Sequence, residues 1–307
     1  MTESSTLLGV VHATGGGVYT VALENGKRVG ASIRGRVKRE ERTGRLVVVG
    51  DTVEVLVDGN EVTIESVGKR QTELVRRGSG RAPKILAANL DRVFVVIALR
   101  DPPGSTQLID RMLVLVHASG MCPVLILNKA DLEKTEYIAE AWLALYRGLG
   151  YQVLVTSASS GEGVPELQRE LCSGTSAFIG PSGVGKSSLL NAVNPGLHLR
   201  TGRLSEKTGT GRHTTVGSRL ITLEGGGFVA DTPGFGDVGL WSVDPETVGG
   251  HFPEFAERAG YCRFRGCTHL HEPDCAVLEA LDKGALAQSR YESYRMLRSE
   301  AKEQEEY

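Results

Sequence analysis

The domain architecture is decided by one stretch of sequence, Ala177-Phe178-Ile179-Gly180-Pro181-Ser182-Gly183-Val184-Gly185-Lys186-Ser187-Ser188. An apolar run leads into the spacing GxxxxGK[ST], and the pattern of a helix follows. Glycines in such a loop let successive backbone N–H groups converge on an anion, and the dipole of the following helix favours negative charge. The stretch therefore predicts a phosphate-binding loop between a buried strand and a helix.

Two side chains at the end of this loop are expected to carry its chemistry. Lys186 should reach the β- and γ-phosphates of a nucleoside triphosphate and assist catalysis, and Ser187 should ligate Mg²⁺ through its hydroxyl. The predicted phosphate-contacting positions are Gly180, Pro181, Ser182, Gly183, Val184, Gly185, Lys186, Ser187 and Ser188.

A second motif indicates which base the site selects. An apolar strand over residues 125–127 runs into NKxD, formed by Asn128, Lys129 and Asp131. A carboxylate at Asp131 can accept both N–H groups on the Watson–Crick edge of guanine, whereas adenine would leave it desolvated and unpaired. The motif therefore favours GTP over ATP.

A second strand strengthens the assignment of guanine. A predicted strand over residues 152–156 ends in Ser157 and Ala158, which match the short loop that backs the base in GTPases. NKxD alone is a weak signal, but its combination with this loop and a phosphate loop is specific. We therefore expect all of these residues to contact GTP.

The magnesium side of the site is predicted from residues that follow the phosphate loop. A strand over residues 228–230 ends in DxxG, in which Asp231 should hold Mg²⁺ through water and the Gly234 N–H should sense the γ-phosphate. A glycine-rich segment before it offers Thr214 or Thr215 as the switch ligand to Mg²⁺, and Thr215 is our assignment.

The order of the motifs is rotated relative to ordinary GTPases. NKxD and the Ser157 loop precede the phosphate loop, although they usually come last. One sheet can be connected in rotated order when the chain termini lie close together, so permutation can preserve the site. The switch segments then lie next to the C-terminal domain, to which nucleotide state could pass directly.

The catalytic group is predicted by elimination. Many GTPases place a glutamine just after DxxG to position the attacking water, but this chain has Phe235, whose ring cannot form that hydrogen bond. His213, beside the switch threonines, is our candidate for the missing role. The alternative is that His213 only packs or contacts a partner.

A cysteine and histidine cluster predicts a metal site near the C-terminus. Three thiolates and one imidazole form a closed tetrahedral set, which favours structural Zn²⁺ over a catalytic ion. His271 could replace the histidine ligand, and Cys122 and Cys172 are expected to be isolated buried thiols. The predicted zinc ligands, spaced Cys-x4-Cys-x-His-x5-Cys, are Cys262, Cys267, His269 and Cys275.

Three domains are predicted along the 307 residues. Residues 1–78 alternate short β-branched runs with glycine turns, which is typical of a small barrel or sandwich. Residues 79–244 alternate buried strands with helices and predict an α/β domain with a largely parallel sheet. Residues 245–307 hold the metal cluster and a charged helical tail. Residues 68–84 are polar and glycine-containing, and we interpret them as a linker.

Charge and composition limit the partners. The formal net charge is −2, so any contact with nucleic acid must depend on a local patch, and residues 27–45 carry eight basic against two acidic side chains. No signal peptide or membrane span is found, which predicts a cytoplasmic protein without a membrane partner. The lack of heptads or a large apolar edge favours a monomer.

The chain resembles the RsgA (YjeQ) family of small ribosomal subunit-dependent GTPases. The similarity covers nearly the whole chain, from the barrel through the permuted motifs, a GRHTT segment at 211–215, DTPG at 231–234 and the cysteine cluster. It implies an OB-like barrel, GTP hydrolysis stimulated by the small subunit, a role late in the maturation of that subunit, and rRNA binding through the barrel and the zinc domain. The basic patch then becomes a candidate rRNA-facing surface.

Two other functions remain open at this point. In the first, GTP only gates rRNA binding and hydrolysis times release. In the second, the GTPase serves another RNA–protein complex or a membrane partner, although no basic amphipathic helix supports the membrane.

Overall fold

The structure is a computed structural model that describes residues 5–34, 37, 46–59, 61–77, 83–132, 134–199, 218–231 and 243–305. Its elements follow the predicted succession of a barrel, an α/β domain and a helical C-terminal region. The three predicted domain limits stay predictions.

The N-terminal strands close into a five-stranded barrel. β1 (Ser5–Gly15) pairs with both β2 (Val18–Leu23) and β4 (Thr52–Asp58), while β3 (Arg28–Ile33) and β5 (Glu61–Val67) complete the ring. Alternate residues point inward, as the period of a strand requires. The barrel core contains Val11, Val21, Val53, Val55 and Ile64, all at most 1% exposed. Ring closure therefore decides between the predicted alternatives in favour of a barrel.

The described residues of the segment interpreted as a linker, 68–77 and 83–84, are instead structured. It contributes β6 (Glu73–Arg77), which pairs with β7 (Pro83–Ala88) in a separate two-stranded sheet. The buried Arg70 donates from Nε and Nη2 to the two carboxylate oxygens of Asp51, at 2.7 and 2.9 Å. This paired geometry fastens the start of the segment to the barrel, because a bidentate arginine–carboxylate contact fixes both orientation and distance.

The central domain is a doubly wound sheet. Its strands are β8 (Arg92–Ala98), β9 (Cys122–Asn128), β10 (Gln152–Thr156), β11 (Thr175–Ile179), β12 (Arg219–Thr222) and β13 (Phe228–Asp231). Their order in the sheet is β10-β9-β8-β11-β13-β12, with β12 antiparallel to β13 and the other neighbours parallel.

Helices cover both faces of this sheet. In β8, Val93, Val95 and Ile97 face one core while Phe94 and Val96 face the other. Both faces must be apolar, so the strand is a continuous hydrophobic run. The first core includes α1 (Thr106–Ala118) and α2 (Glu136–Gly148), and the second includes α3 (Val164–Leu171) and α4 (Lys186–Val193).

The barrel and the central sheet are joined edge to edge. Ala13 in β1 pairs with Arg219 in β12, and the Thr14 N–H donates to the Ser218 carbonyl at 2.9 Å. The eleven strands of both domains therefore form one continuous hydrogen-bonded series.

Within residues 243–305 the C-terminal region contains helices and no strand. These are α5 (Pro253–Ala259), α6 (Ala276–Asp282) and the eighteen-residue α7 (Gln288–Glu305). An aromatic core of Phe252, Phe255 and Tyr294 lies between them, and α7 packs along α1. None of the helices in the described ranges is both long and apolar enough for a membrane span.

Candidate nucleotide and metal sites

The phosphate loop connects β11 to α4 as predicted, and its shape depends on glycine. Gly180, Gly183 and Gly185 have positive φ angles of 150°, 84° and 99°. A Cβ on Gly180 would lie 2.2 Å from the Val96 carbonyl oxygen. Side chains are therefore excluded where the backbone turns towards the phosphates.

Lys186 begins α4 and folds back over the loop. Its ammonium donates to the carbonyls of Gly180 at 2.7 Å and Pro181 at 2.9 Å. Burial lowers the pKa of Lys186 to about 8, because desolvation penalises the charged form. A phosphate bound in the loop would oppose this shift, since a nearby negative charge favours the ammonium.

Asn128 links the base-reading motif to the phosphate loop. It is 1% exposed, donates from Nδ2 to the Val184 carbonyl at 2.7 Å, and accepts from the Thr156 hydroxyl at 3.0 Å. A Cβ on Gly185 would lie 2.3 Å from this Nδ2, so the glycine permits the approach. The Asn128 amide therefore connects the loops that β9, β10 and β11 bring together.

Asp131 is oriented by two serines. Ser157 Oγ donates to its Oδ1 at 2.6 Å, and Ser159 Oγ donates to its Oδ2 at 2.7 Å. These hydrogen bonds hold the pKa of Asp131 below its ordinary value, which keeps the carboxylate ionised for the N–H groups of a base. Ser159 was missed by the sequence analysis, although its position two residues after Ser157 was a possible signal.

A cavity of about 630 Å³ joins these elements. Lys129 has a left-handed backbone, with φ 64°, and its ammonium donates to the Asp101 carbonyl. Asp101 is a second lining residue that the sequence analysis missed. The lining residues are Asp101, Asn128, Lys129, Asp131, Leu132, Ala158, Ser159, Gly185, Ser188, Asn191 and Ala192.

The strand arrangement brings the magnesium side to the same edge. β13 runs parallel to β11, with Ala230 opposite Ala177, so Asp231 ends its strand two residues short of the level at which the phosphate loop begins. The Ser187 hydroxyl and the Asp231 carboxylate are hard oxygen donors of the kind that Mg²⁺ prefers. The predicted His213, Thr214, Thr215, Gly234 and Phe235 lie outside the described residues.

The cysteine and histidine side chains form a compact donor set. The donor atoms of Cys262, Cys267, His269 and Cys275 all lie within 4.8 Å of one another, with His269 Nδ1 3.3 Å from Cys275 Sγ. Three thiols and one imidazole at this separation fit a tetrahedral zinc ion. His271 is exposed and is not a member of the set.

Further contacts orient the loop that carries His269. Glu272 accepts backbone N–H bonds from Thr268, Leu270 and His271 at 2.8, 3.1 and 3.2 Å, and the Tyr291 hydroxyl donates to the His269 carbonyl at 2.9 Å. Outer contacts of this kind fix the orientation of a ligand and therefore support metal affinity.

The expectation for the other two cysteines was wrong. Cys122 and Cys172 are both exposed. Cys122 begins β9 at the edge of the apolar run, and Cys172 follows the end of α3, where its Sγ contacts the Gln168 carbonyl at 3.1 Å. Each thiol lies at the end of an element, beyond its buried part.

A network of buried ion pairs connects the C-terminal region to the central α/β domain. Arg290 in α7 donates from Nη1 to Asp110 in α1 at 2.5 Å, and from Nε to Glu254 in α5 at 2.7 Å. Tyr146 also donates to Asp110 at 2.6 Å, while the guanidinium lies 4.5 Å from the ring centre of Phe252. α1 starts at Thr106, five residues after Asp101, so the network lies on the helix that follows this cavity-lining residue.

Comparisons with known proteins are consistent along the chain. A family model described as RsgA GTPase matches residues 67–241. The protein named small ribosomal subunit biogenesis GTPase RsgA from Gemmatimonas aurantiaca is 44% identical over 305 residues, covering 98% of each chain. Its namesake from Moorella thermoacetica is 44% identical over 280 residues, covering 91% of this chain and 92% of the relative.

Two solved structures share the whole architecture. The crystal structure of YjeQ from Thermotoga maritima has a TM-score of 0.80 at 34% identity, covering 97% of this chain and 99% of that one. YloQ, described as a circularly permuted GTPase, has a TM-score of 0.75 at 33% identity, with coverages of 97% and 96%.

Proposed function

The chain belongs to the RsgA GTPase family and hydrolyses GTP, and we propose that it does so in the biogenesis of the small ribosomal subunit. The subunit is the proposed activator, and late maturation is the proposed stage of action. The observation that carries the proposal is the Asn128 contact with Val184, which joins the base-reading and phosphate loops into one pocket despite their rotated order.

The residues of the pocket have distinct proposed tasks. Asp131 accepts the guanine N–H groups and Ala158 backs the base, while Lys186 neutralises charge on the β- and γ-phosphates. Magnesium, when bound with GTP, would neutralise phosphate charge further, and Ser187, Thr215 and water around Asp231 would hold it. The remaining phosphate contacts are proposed for Gly180, Pro181, Ser182, Gly183, Val184, Gly185, Ser188 and Gly234.

His213 is the proposed catalytic residue that assists the attacking water. Measuring subunit-stimulated GTP turnover of His213→Ala tests this role, with the exposed His198→Ala as the matched variant. A large loss of turnover with unchanged GTP affinity supports it. Wild-type turnover in His213→Ala would contradict the catalytic role of His213.

The C-terminal cluster is proposed to hold one structural zinc ion through Cys262, Cys267, His269 and Cys275. The barrel is proposed to face rRNA with its basic patch. In the described part of the patch, Lys27, Arg28 and Arg34 are exposed, as phosphate contacts require. The other five basic residues of the patch lie outside the described residues. We further propose a monomer that acts in the cytoplasm.

Comparing GTP turnover with and without purified small subunits tests the proposed function. Strong stimulation by small subunits, absent with large subunits, supports it. Nucleotide-dependent binding to small subunits without any rise in turnover would favour the alternative in which GTP times only docking and release. No discrimination between GTP and ATP in magnesium-containing calorimetry would overturn both.

A further inference from the structure

Arg219 forms an ion pair with the carboxylate of Asp231, which is proposed to serve the magnesium site. Its Nε lies 3.2 Å from Asp231 Oδ2, and the two side chains are 56% and 43% exposed. Asp231 ends β13 one residue after Ala230, which lies opposite Ala177 in β11, the strand that leads into the phosphate loop, and its carboxylate would hold Mg²⁺ through water. The same carboxylate therefore has two cationic partners available.

The backbone holds Arg219 in this position. Arg219 and Asp231 are directly opposite in the antiparallel β12–β13 pair, so their side chains project from the same face of the sheet. On its other side Arg219 pairs with Ala13 of the barrel, and the neighbouring Ser218 accepts a hydrogen bond from Thr14. The position of the arginine is thus set by the strand that joins the barrel to the nucleotide domain.

We propose that Arg219 is a positioning residue that competes with Mg²⁺ for the Asp231 carboxylate and so raises the Mg²⁺ concentration needed to retain nucleotide. The inference rests on the proposed function, in which Asp231 serves the magnesium–nucleotide site. Two cations next to one carboxylate repel each other, and the guanidinium occupies a lone pair that water around Mg²⁺ would use. Removing the arginine charge should therefore strengthen magnesium binding.

The expected size is modest, because the pair is exposed to solvent. Exposed arginine–carboxylate pairs contribute about 0.2–1 kcal/mol, which corresponds to a change of about 1.5- to 5-fold in a binding constant. If removing the arginine charge weakened magnesium binding, Arg219 would instead hold the carboxylate in its magnesium-binding orientation.

The test measures the release rate of a fluorescent GDP analogue as a function of Mg²⁺ concentration in the full-length protein. For Arg219→Gln we expect half-maximal retention at about 1.5- to 5-fold lower Mg²⁺, whereas Arg219→Lys keeps the charge and stays close to the wild type. A purely structural role of Arg219 would affect both variants alike. Arg92→Gln is the matched control, because it removes an arginine paired with Glu170 where β8 begins, at the edge of the sheet opposite the pocket.

Asp231→Asn separates failure of the inference from failure of the proposed function. If Asp231→Asn weakens the magnesium dependence but Arg219→Gln leaves it unchanged or shifts it to higher Mg²⁺, the competition is refuted and the site stands. If Asp231→Asn has no effect, Asp231 does not serve the magnesium site, and the inference fails together with that proposed role of Asp231, whereas the guanine pocket that carries the proposed function stands. The Arg219→Gln shift should also disappear in the Asp231→Asn background.

Discussion

Replacing Arg290 by methionine should destabilise the contact between the nucleotide domain and the C-terminal region. The side chain is 1% exposed and lies between Asp110, which is fully buried, and Glu254, whose side chain is 8% exposed. Methionine fills a similar volume but leaves two carboxylates in the interior without a cation. The penalty is therefore that of unpaired buried charge rather than that of a cavity.

The magnitude follows from burial. Breaking a buried ion pair by removing one partner costs about 3–5 kcal/mol, against a total stability of about 5–15 kcal/mol for a typical domain. Arg111→Met is the matched control, since Arg111 joins the same two helices, α1 and α7, through Glu300. Its pair is 21% and 26% exposed, so its loss should cost at most about 1 kcal/mol.

Urea unfolding followed by circular dichroism, with zinc content checked in each sample, measures both variants. The difference between the Arg290 and Arg111 variants should be about 2–5 kcal/mol, as the two estimates imply. Adding Asp110→Asn and Glu254→Gln to Arg290→Met should recover part of the loss, because neutral amides are less costly to bury than carboxylates. Equal destabilisation by Arg290→Met and Arg111→Met would refute the reasoning.

Three further changes should have defined outcomes. Gly185→Ala should lower GTP affinity at least about tenfold, because the new Cβ would lie 2.3 Å from Asn128 Nδ2 at a φ of 99°, and calorimetry measures the loss. Cys275→Ser should remove bound zinc and melt the C-terminal helices, as metal analysis and hydrogen exchange would detect. GDP affinity should persist to a pH below the ordinary pKa of aspartate, because Asp131 must stay ionised to bind the base and its pKa is lowered. Ser159→Ala removes one of the hydrogen bonds that lower this pKa, so the loss of GDP affinity should occur at higher pH.

Each of these predictions has a control. Gly148→Ala has no atom within 4 Å of the new Cβ and should leave GTP affinity unchanged. Cys122→Ser changes an exposed thiol outside the cluster and should retain zinc. Ser160→Ala should leave the pH profile unchanged, because the Ser160 hydroxyl is not among those that donate to Asp131. Identical profiles for the Ser159 and Ser160 variants would contradict the role of the Ser159 hydroxyl.

The sequence predicted the elements whose pattern is strong and local. The strand predicted over residues 152–156 is confirmed without change. β1 contains Gly9 and Gly15, and its register shifts between Val11 and Ala13, so its sequence lacks the clean alternation that predicts a strand. A regular alternation of apolar and polar residues identifies the buried face of a strand, and an irregular strand lacks that alternation.

Motif spacing likewise fixed which residues could form each site but not their contacts. The cysteine spacing identified four donors whose ligand atoms lie within 4.8 Å of one another. This prediction succeeded because all four donors come from fourteen consecutive residues. The contact between Asn128 and Val184 spans 56 residues and depends on β9 and β11 lying in one sheet. The same holds for Ser159, whose bond to Asp131 requires two strand ends to meet.

The sequence by itself thus determined which side chains are candidates for the nucleotide pocket and for the metal cluster, because glycine, lysine and aspartate in the first and cysteine in the second stand at spacings that admit few other uses. Only the tertiary structure decided the partners that lie far apart along the chain, such as Arg290 with Asp110 across 180 residues, or Arg219 between the barrel and Asp231. The physical reason is that a sequence pattern shows that a side chain will be buried or charged, whereas the packing of whole elements selects which group it meets.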